Sequence, residues 1–415
     1  MSLAEPPGTA GRLVVVGIGA DGWAGLGERA RAALLAAEEI VGSMRQLGLL
    51  APTSATLRPW PSPIEGLLDE LVERSDAGTA GGVCVLASGD PMLHGIGATL
   101  ARRLSPERLL VHPHPSAFAL ACARLGWPAA EVELVSAVAQ PAQTVARVLQ
   151  PGRRVVVYAT GKGGAAQIAQ VLCARGFGPS RFVVLEQLSC EAEQISESTA
   201  AEWGEREADP LHAIAIECVA EPGTPVLALV PGLPDDAYES DGQLTKRHVR
   251  AITLATLAPM PSTLLWDVGA GSGSIAIEWL RAEPTAQAVA VERDAARAER
   301  ARANASALGV PRLEVVTGSA PEALCDLPGP DAIFIGGGLT TRGVIDRCWG
   351  ALRPGGTIVA NAVTLEGERL LAGVRERRGG ELVRIEIAHA EPLGTFEAWR
   401  GQLPVVQWSA RKERK

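Results

Sequence analysis

The stretch Asp267-Val268-Gly269-Ala270-Gly271-Ser272-Gly273-Ser274 sets three glycines at alternate positions behind an apolar run, Thr263 to Val268. Glycines so spaced let the backbone approach a ligand with no Cβ in the way, and a helix opening at Ser274 adds its N-terminal N–H groups. Glu292 ends the next apolar run, 21 residues after Gly271. A carboxylate placed there can accept hydrogen bonds from both hydroxyls of a ribose. The ligand read from this pattern is an adenosine, and the glycines alone fit either NAD or S-adenosylmethionine (SAM). Two features favour SAM: the acidic Asp267 just before the loop, and Gly318-Ser319-Ala320-Pro321-Glu322, which offers a loop for an adenine edge. A loop needing glycine only for packing would require neither. After the fourth strand, where amine-methylating enzymes often carry an Asn/Asp-Pro-Pro-Tyr/Phe run, the chain has Asp331-Ala-Ile-Phe-Ile-Gly336-Gly337-Gly338. With no carboxamide or aromatic clamp for an amine and with room for a bulky ligand, carbon methylation is the better reading.

The first half has glycine loops of its own. Gly17-Ile-Gly19-Ala-Asp21-Gly22 matches G-x-G-x-x-G literally after the run Leu13 to Val16, a pattern that taken alone suggests NAD. Trp23, Gly25 and Gly27 follow, however, so no helix opens promptly, and Glu38 and Glu39 precede the next apolar run instead of ending it. A second loop, Ser88-Gly89-Asp90-Pro91, follows the run Val83 to Ala87, and a third, Pro115-Ser116-Ala117, opens a helical stretch. His112-x-His114 has the spacing of a metal pair, but no third ligand stands near it in sequence, and it reads as a loop feature; no metal is expected.

The elements that must position these loops alternate in type, short β-branched runs with Ala/Leu/Arg-rich helical stretches, as in α/β architecture. Predicted strands include Arg154 to Tyr158, Phe182 to Leu185, Ala213 to Glu217, Val226 to Val230, Ala286 to Val291, Leu313 to Val316 and Thr357 to Ala360. Predicted helices include Glu28 to Glu39, Pro63 to Arg74, Ile96 to Leu104, Pro115 to Leu125 and one from Asp294 to Leu308. The strongest breaker cluster, Pro231-Gly232-Leu233-Pro234-Asp235-Asp236, marks the main boundary. The expected organisation is a first domain over 1–230, in two lobes of about 1–115 and 116–230, a linker over 231–244, and a second domain over 245–415.

The 415 residues suit two or three domains. Residues 1–245 carry 17 basic and 28 acidic side chains, a net of −11, and residues 246–415 carry 22 and 19, a net of +3. That balance, with only 16 aromatics, argues against a nucleic-acid partner. Arginine outnumbers lysine 35 to 4, which reads as genome composition and not as anion binding. No apolar run approaches the roughly 18 residues of a membrane span. Met1 to Arg12 lacks the basic and apolar order of a secretory signal. Seven scattered cysteines with no C-x-x-C suit a reducing cytoplasm. The charged tail, Arg411 to Lys415, is expected to fray.

The runs V-G-I-G-x-D-G, S-G-D-P-M-x-x-G-I-G and P-S-A-F-A-L-A-x-A-R-L-G resemble the tetrapyrrole methylase family. The second half resembles the decarboxylating precorrin methyltransferases through Thr245-Lys246-Arg247-His248-Val249-Arg250, the 267–274 loop, D-A-I-F-I-G-G-G and Ala360-Asn361-Ala-Val-Thr-Leu-Glu366. The resemblance implies a bilobed tetrapyrrole-methylase fold followed by a Rossmann-like SAM-dependent methyltransferase domain, with one SAM site in each. By position it assigns SAM contacts to Ala20, Ser88, Gly89, Asp90, Leu93, Ser116, Ala117 and Ala159, and to Thr245, Gly269, Ala270, Gly271, Ser272, Gly273, Glu292 and Ala320. It implies methylation of a reduced tetrapyrrole at two meso carbons, 5 and 15, with loss of carbon dioxide from an acetate.

An enamine carbon and a sulfonium methyl ask little of side chains, so no catalytic constellation is expected. A polycarboxylate substrate should meet cations, and Lys162, Lys246 and Arg250 are the expected contacts. His248 stands where relatives commonly have Glu, and Leu93-His94 replaces a pair that is often aromatic. The resemblance also implies a homo-oligomer. The competing readings are a cobalt-bearing macrocycle, a two-site methyltransferase of RNA or protein, and a first half that only binds ligand.

Overall fold

The computed structural model describes residues 11–414; Met1 to Ala10, which held most of the leader reading, and Lys415 lie outside the described residues. The chain divides into two compact units, one of residues 11–142 with Gly152–Glu221, the other of Gln143–Pro151 with 222–414.

The first unit is built on two five-stranded sheets. In the first, strands β1 (Leu13–Ile18), β2 (Glu39–Gly42), β3 (Thr56–Pro59), β4 (Val83–Ser88) and β5 (Leu109–His112) run parallel in the order β3-β2-β4-β1-β5. All six residues of β1 are buried, as a parallel strand covered on both faces requires. The connection after β1 leads to one side of the sheet and that after β4 to the other, so the carboxyl ends of these neighbours form a topological switch point. The second sheet is mixed, β6 (Val132–Ser136), β7 (Arg154–Tyr158), β8 (Arg181–Glu186), β9 (Gln194–Thr199) and β10 (His212–Glu217), in the order β6-β7-β10-β8-β9.

The second unit carries a seven-stranded sheet of order β13-β12-β11-β14-β15-β19-β16. Strands β11 (Leu264–Val268), β12 (Gln287–Glu292), β13 (Glu314–Thr317), β14 (Ala332–Ile335) and β15 (Thr357–Ala362) are parallel. β19 (Val405–Arg411) inserts antiparallel between β15 and β16 (Glu381–Ile385), and β17 (Ala388–Leu393) with β18 (Phe396–Gly401) forms a separate hairpin. The switch point here lies between β11 and β14. The fold class is α/β with parallel sheets, as expected.

Several elements differ from their sequence reading. Val226 to Val230 is not a strand; Pro222, Pro225 and Pro231 around it remove N–H donors that a ladder needs. The helix expected over Glu28 to Glu39 stops at Leu35, because Glu39 to Gly42 pairs with both β3 and β4. The 231–244 segment lacks strands, yet Leu233, Tyr238 and Leu244 are buried in the second unit's core. Breaker residues suppress regular backbone but leave side chains free to pack. The tail does not fray at its start: Arg411 completes β19, and the Lys412 ammonium donates to the carbonyls of Trp349, Gly350 and Leu352 at 2.8, 3.1 and 2.6 Å. Those carbonyls end the helix Val344–Ala351, where a cation is favoured. Among the described residues no helix is long and apolar enough to cross a membrane.

Candidate cofactor sites

At the carboxyl ends of β1 and β4 the first unit opens a cleft of about 480 Å³, lined by Ala20, Ser88, Gly89, Asp90, Leu93, Ser116, Ala117 and Ala159. Its volume falls within the roughly 300–1,000 Å³ of small-ligand sites. Register brings the loops together, since Ile18 lies opposite Ser88 and the Gly89 N–H donates to the Ile18 carbonyl at 3.0 Å. A Cβ on Gly17 would sit 2.3 Å from the Gly89 carbonyl oxygen, so the two loops can touch only if residue 17 is glycine. The Ser88 hydroxyl accepts from Arg45 and from Gln46, each at 3.0 Å. Asp90 accepts the Met92 N–H at 2.8 Å, which holds its loop in a tight turn. Ser116 caps the helix Ala117–Leu125 by accepting the Ala119 N–H at 3.1 Å.

Gly17-x-Gly19-x-x-Gly22 does not build a dinucleotide site, because the helix it opens, Gly22–Gly25, is a single turn. Its glycines make room for Asp21 and His114: a Cβ on Gly19 would meet Asp21 at 2.5 Å and the His114 ring at 2.7 Å. His114 Nε2 stands 3.3 Å from Asp21 Oδ1, and its Nδ1 is 3.2 Å from the Pro115 carbonyl. His114 therefore ties the loop after β1 to the one opening the Ala117 helix.

The cleft also contains residues that the sequence reading did not assign to a site: Arg45, His94, Tyr158 and His212. The Tyr158 hydroxyl accepts the Phe118 N–H at 2.8 Å, and burial pushes its pKa up. His212 is buried, with Nδ1 at 2.6 Å from the Asp209 carbonyl. Both end up here because β7 and β10 are neighbours in a mixed sheet, a pairing no local pattern announces.

In the second unit the glycine loop takes positive φ at Gly269, Gly271 and Gly273 (+71°, +57° and +79°). A Cβ on Gly269 would lie 2.4 Å from the Gly337 Cα, which explains the glycine run after β14. Glu292 is buried; one carboxylate oxygen accepts the Gly271 N–H at 2.8 Å and the other the Asp294 N–H at 3.0 Å. Each oxygen keeps further lone-pair capacity for a hydroxyl. The Gly318 N–H donates to the Glu292 carbonyl at 2.9 Å, bringing the Ala320 loop alongside. Thr245 lies two residues beyond Gln243, whose carbonyl oxygen would be 3.4 Å from a Cβ on Gly271.

Two polar atoms beside this loop are buried with no hydrogen-bond partner, Asp267 Oδ1 and Ser272 Oγ. Asp267 Oδ2 accepts the Ala276 N–H at 3.1 Å, while burial, with Glu292 nearby, raises the carboxyl pKa to about 7. Buried polar groups are normally paired, so a polar, cationic ligand at the loop fits this donor and acceptor set.

The cations expected at substrate separate sharply. Lys162 is exposed on its glycine-rich turn, 3.5 Å from Glu207, and Lys246 is half-exposed, 3.9 Å from Asp235. Arg250 is not a substrate contact. Its side chain is fully buried, paired with Glu278 at 2.6 Å and Asp235 at 3.1 Å, bonded to the Leu233 and Thr245 carbonyls, and stacked over Tyr238. Lys246 stands outside the helix Arg247–Leu257 at its N-cap position, while that helix turns residue 250, four positions on, toward the core. His248 is exposed, its ring 5.6 Å from that of His389.

Residues 12–203 match the family model described as tetrapyrrole (corrin/porphyrin) methylases, and residues 236–412 match the precorrin methyltransferase domain. A curated relative from Sinorhizobium sp, named precorrin-6Y C(5,15)-methyltransferase [decarboxylating], is 44% identical over 99% of both chains. The chain belongs to the precorrin-6Y C(5,15)-methyltransferase (decarboxylating) family. A second member, from Mycobacterium tuberculosis, is 44% identical over 96% of this chain and 100% of its own. Part of the chain is also similar to a smaller protein from Pyrobaculum calidifontis, named probable cobalt-precorrin-6B C(15)-methyltransferase (decarboxylating). That protein is 32% identical over 42% of this chain and 93% of its own length. Membership in the precorrin-6Y methyltransferase family makes the chain a SAM-dependent methyltransferase.

Proposed function

We propose that the chain methylates precorrin-6B at carbons 5 and 15 and removes the ring C acetate carboxylate, giving precorrin-8X in cobalamin biosynthesis, with one SAM site in each unit. The first cleft would serve carbon 5, and the Gly269–Gly273 site carbon 15 with decarboxylation. One observation carries the two-site reading: each unit places its own glycine-rich loops at its own switch point, over a cleft in the first and beside the unpartnered Asp267 and Ser272 atoms in the second. SAM supplies a methyl group activated by the adjoining sulfonium.

The residues bind and orient. Ser88, Gly89, Asp90, Ser116 and Ala117 would hold the cofactor in the first cleft, while Leu86, Leu120, Leu185 and Leu188 keep its walls apolar. Asp267, Ser272 and Glu292 would hold it in the second, and ionisation of Asp267 is favoured when a cation arrives. Fixing the reacting carbon and methyl about 3–3.5 Å apart replaces a bimolecular encounter with a pre-aligned one. The acetate leaves as carbon dioxide when its electron pair flows into the adjacent conjugated imine. Lys162 and Lys246 remain the proposed carboxylate contacts. We further propose a cytoplasmic homo-oligomer, and the acidic first half supports the reading that it has no nucleic-acid partner. The name of the Pyrobaculum relative supports a second reading, the same chemistry on a cobalt-bearing macrocycle.

Product masses from full-length variants test the assignment. Gly269→Ala should yield a singly methylated product that keeps its acetate, and Ala117→Trp, which fills the first cleft, should abolish the other methylation. A doubly methylated, decarboxylated product from either variant would overturn it.

A further inference from the structure

Replacing the hydrogen of a conjugated meso carbon by a methyl group releases a proton, and the first cleft must send it somewhere. Most polar side chains around the cleft are committed. Ser88 accepts from Arg45 and Gln46, Ser116 caps a helix, and Asp90 holds the Met92 N–H. Tyr158 is engaged by Phe118, and its raised pKa makes the phenol a poor proton acceptor at neutral pH. His212 Nε2 has no hydrogen-bond partner either, but it is buried, beside the position a Cβ would take on Gly164. His94 differs from His212 in being exposed, and from the others in having an uncommitted ring. It lines the cleft and is exposed, and no described residue hydrogen-bonds its ring, whose one aromatic contact is an edge-on approach to Tyr158 at 6.3 Å.

His94 also has φ +58°, one of six non-glycine positions with positive φ among the described residues and the one of them that lines this cleft. The loop is folded tightly enough that a Cβ on Gly95 would lie 2.7 Å from the Pro91 carbonyl oxygen. This turn presents the imidazole to the cleft one residue after Leu93, which also lines it.

We propose that His94 is the proton acceptor for the methylation carried out in the first cleft, an inference that rests on the function proposed above. The meso carbon gains the methyl group and its C–H bond breaks. The C–H electron pair returns to the macrocycle's conjugation, and the proton passes to an imidazole nitrogen of His94 and on to solvent at the cleft mouth. The other titratable or charged groups lining the cleft are Asp90 in the same loop, Arg45 beside β2, Tyr158 on β7 and His212 on β10.

The test compares full-length parent and His94→Gln by calorimetric SAM binding, pH–rate profile, and turnover of precorrin deuterated at the meso carbon. SAM affinity should be unchanged, while the rate of the first methylation falls on the order of 100-fold or more. The acid limb of the pH profile should disappear, a primary deuterium effect should emerge, and added imidazole should restore part of the rate. A variant with the parental rate and pH profile would overturn the proposal, as would a loss matched by weakened SAM binding. If the parent itself transfers no methyl from this cleft, the underlying function falls and the proposal with it.

Discussion

Replacing Arg250 with alanine separates two roles for one cation. Arg250 and Glu278 are buried, and Glu278 also accepts from the N–H groups of Gly232 and Leu233 and from the Tyr238 hydroxyl. The arginine neutralises this carboxylate, meets Asp235, and satisfies the carbonyls of Leu233 and Thr245. Removing one member of a buried pair leaves an uncompensated charge and costs about 3–5 kcal/mol. For a unit of this size a kcal/mol shifts melting by roughly 2–4 °C, so the second unit should melt on the order of 10 °C lower. Calorimetric scans of parent and variant read this directly. Arg250→Met with Glu278→Gln, which removes both charges and keeps an acceptor, should recover part of the loss. An unchanged melting profile with selectively weakened precorrin binding would refute the reasoning and return Arg250 to the substrate.

Asp267 makes stability of the second unit depend on pH. With its folded pKa raised to about 7, it stays protonated in the folded chain over a range where the unfolded chain has already ionised. Its contribution is therefore complete below pH 4 and is lost as pH rises toward 7, at up to about 1.4 kcal/mol per pH unit. Urea titrations at pH 4.5 and 7 should show this slope in the parent and its absence in Asp267→Asn. Ser116→Ala should cost the first unit about 1 kcal/mol through its lost helix cap and weaken SAM binding there while leaving the second site's affinity intact. Denaturation and calorimetry of that variant check both parts.

Both candidate cofactor loops were legible because their demands are local. Gly269, Gly271 and Gly273 need positive φ and Glu292 ends the next strand, so spacing exposes that loop, while Ser88 to Asp90 follows a buried run and its ligand came from the family resemblance. What spacing hid depends on partners distant in sequence. Arg250 became structural only when Glu278 and Asp235 closed around it. Tyr158 and His212 reached the cleft through the pairing of β7 with β10. The strands β16 to β19 lack a clean apolar alternation; β17 and β18 are largely exposed, and β19 is buried because it fills a gap between two other strands. Val226 to Val230 is apolar, but Pro222, Pro225 and Pro231 around it deny a ladder its N–H donors, and it forms no strand.

The proposed function puts a SAM site in each unit of one chain. Equilibrium titration of the full-length protein with SAM should give two molecules bound per chain, falling to one in Gly269→Ala and to one in Ala117→Trp. A single site in the parent, or loss of both sites on either substitution, would contradict the account.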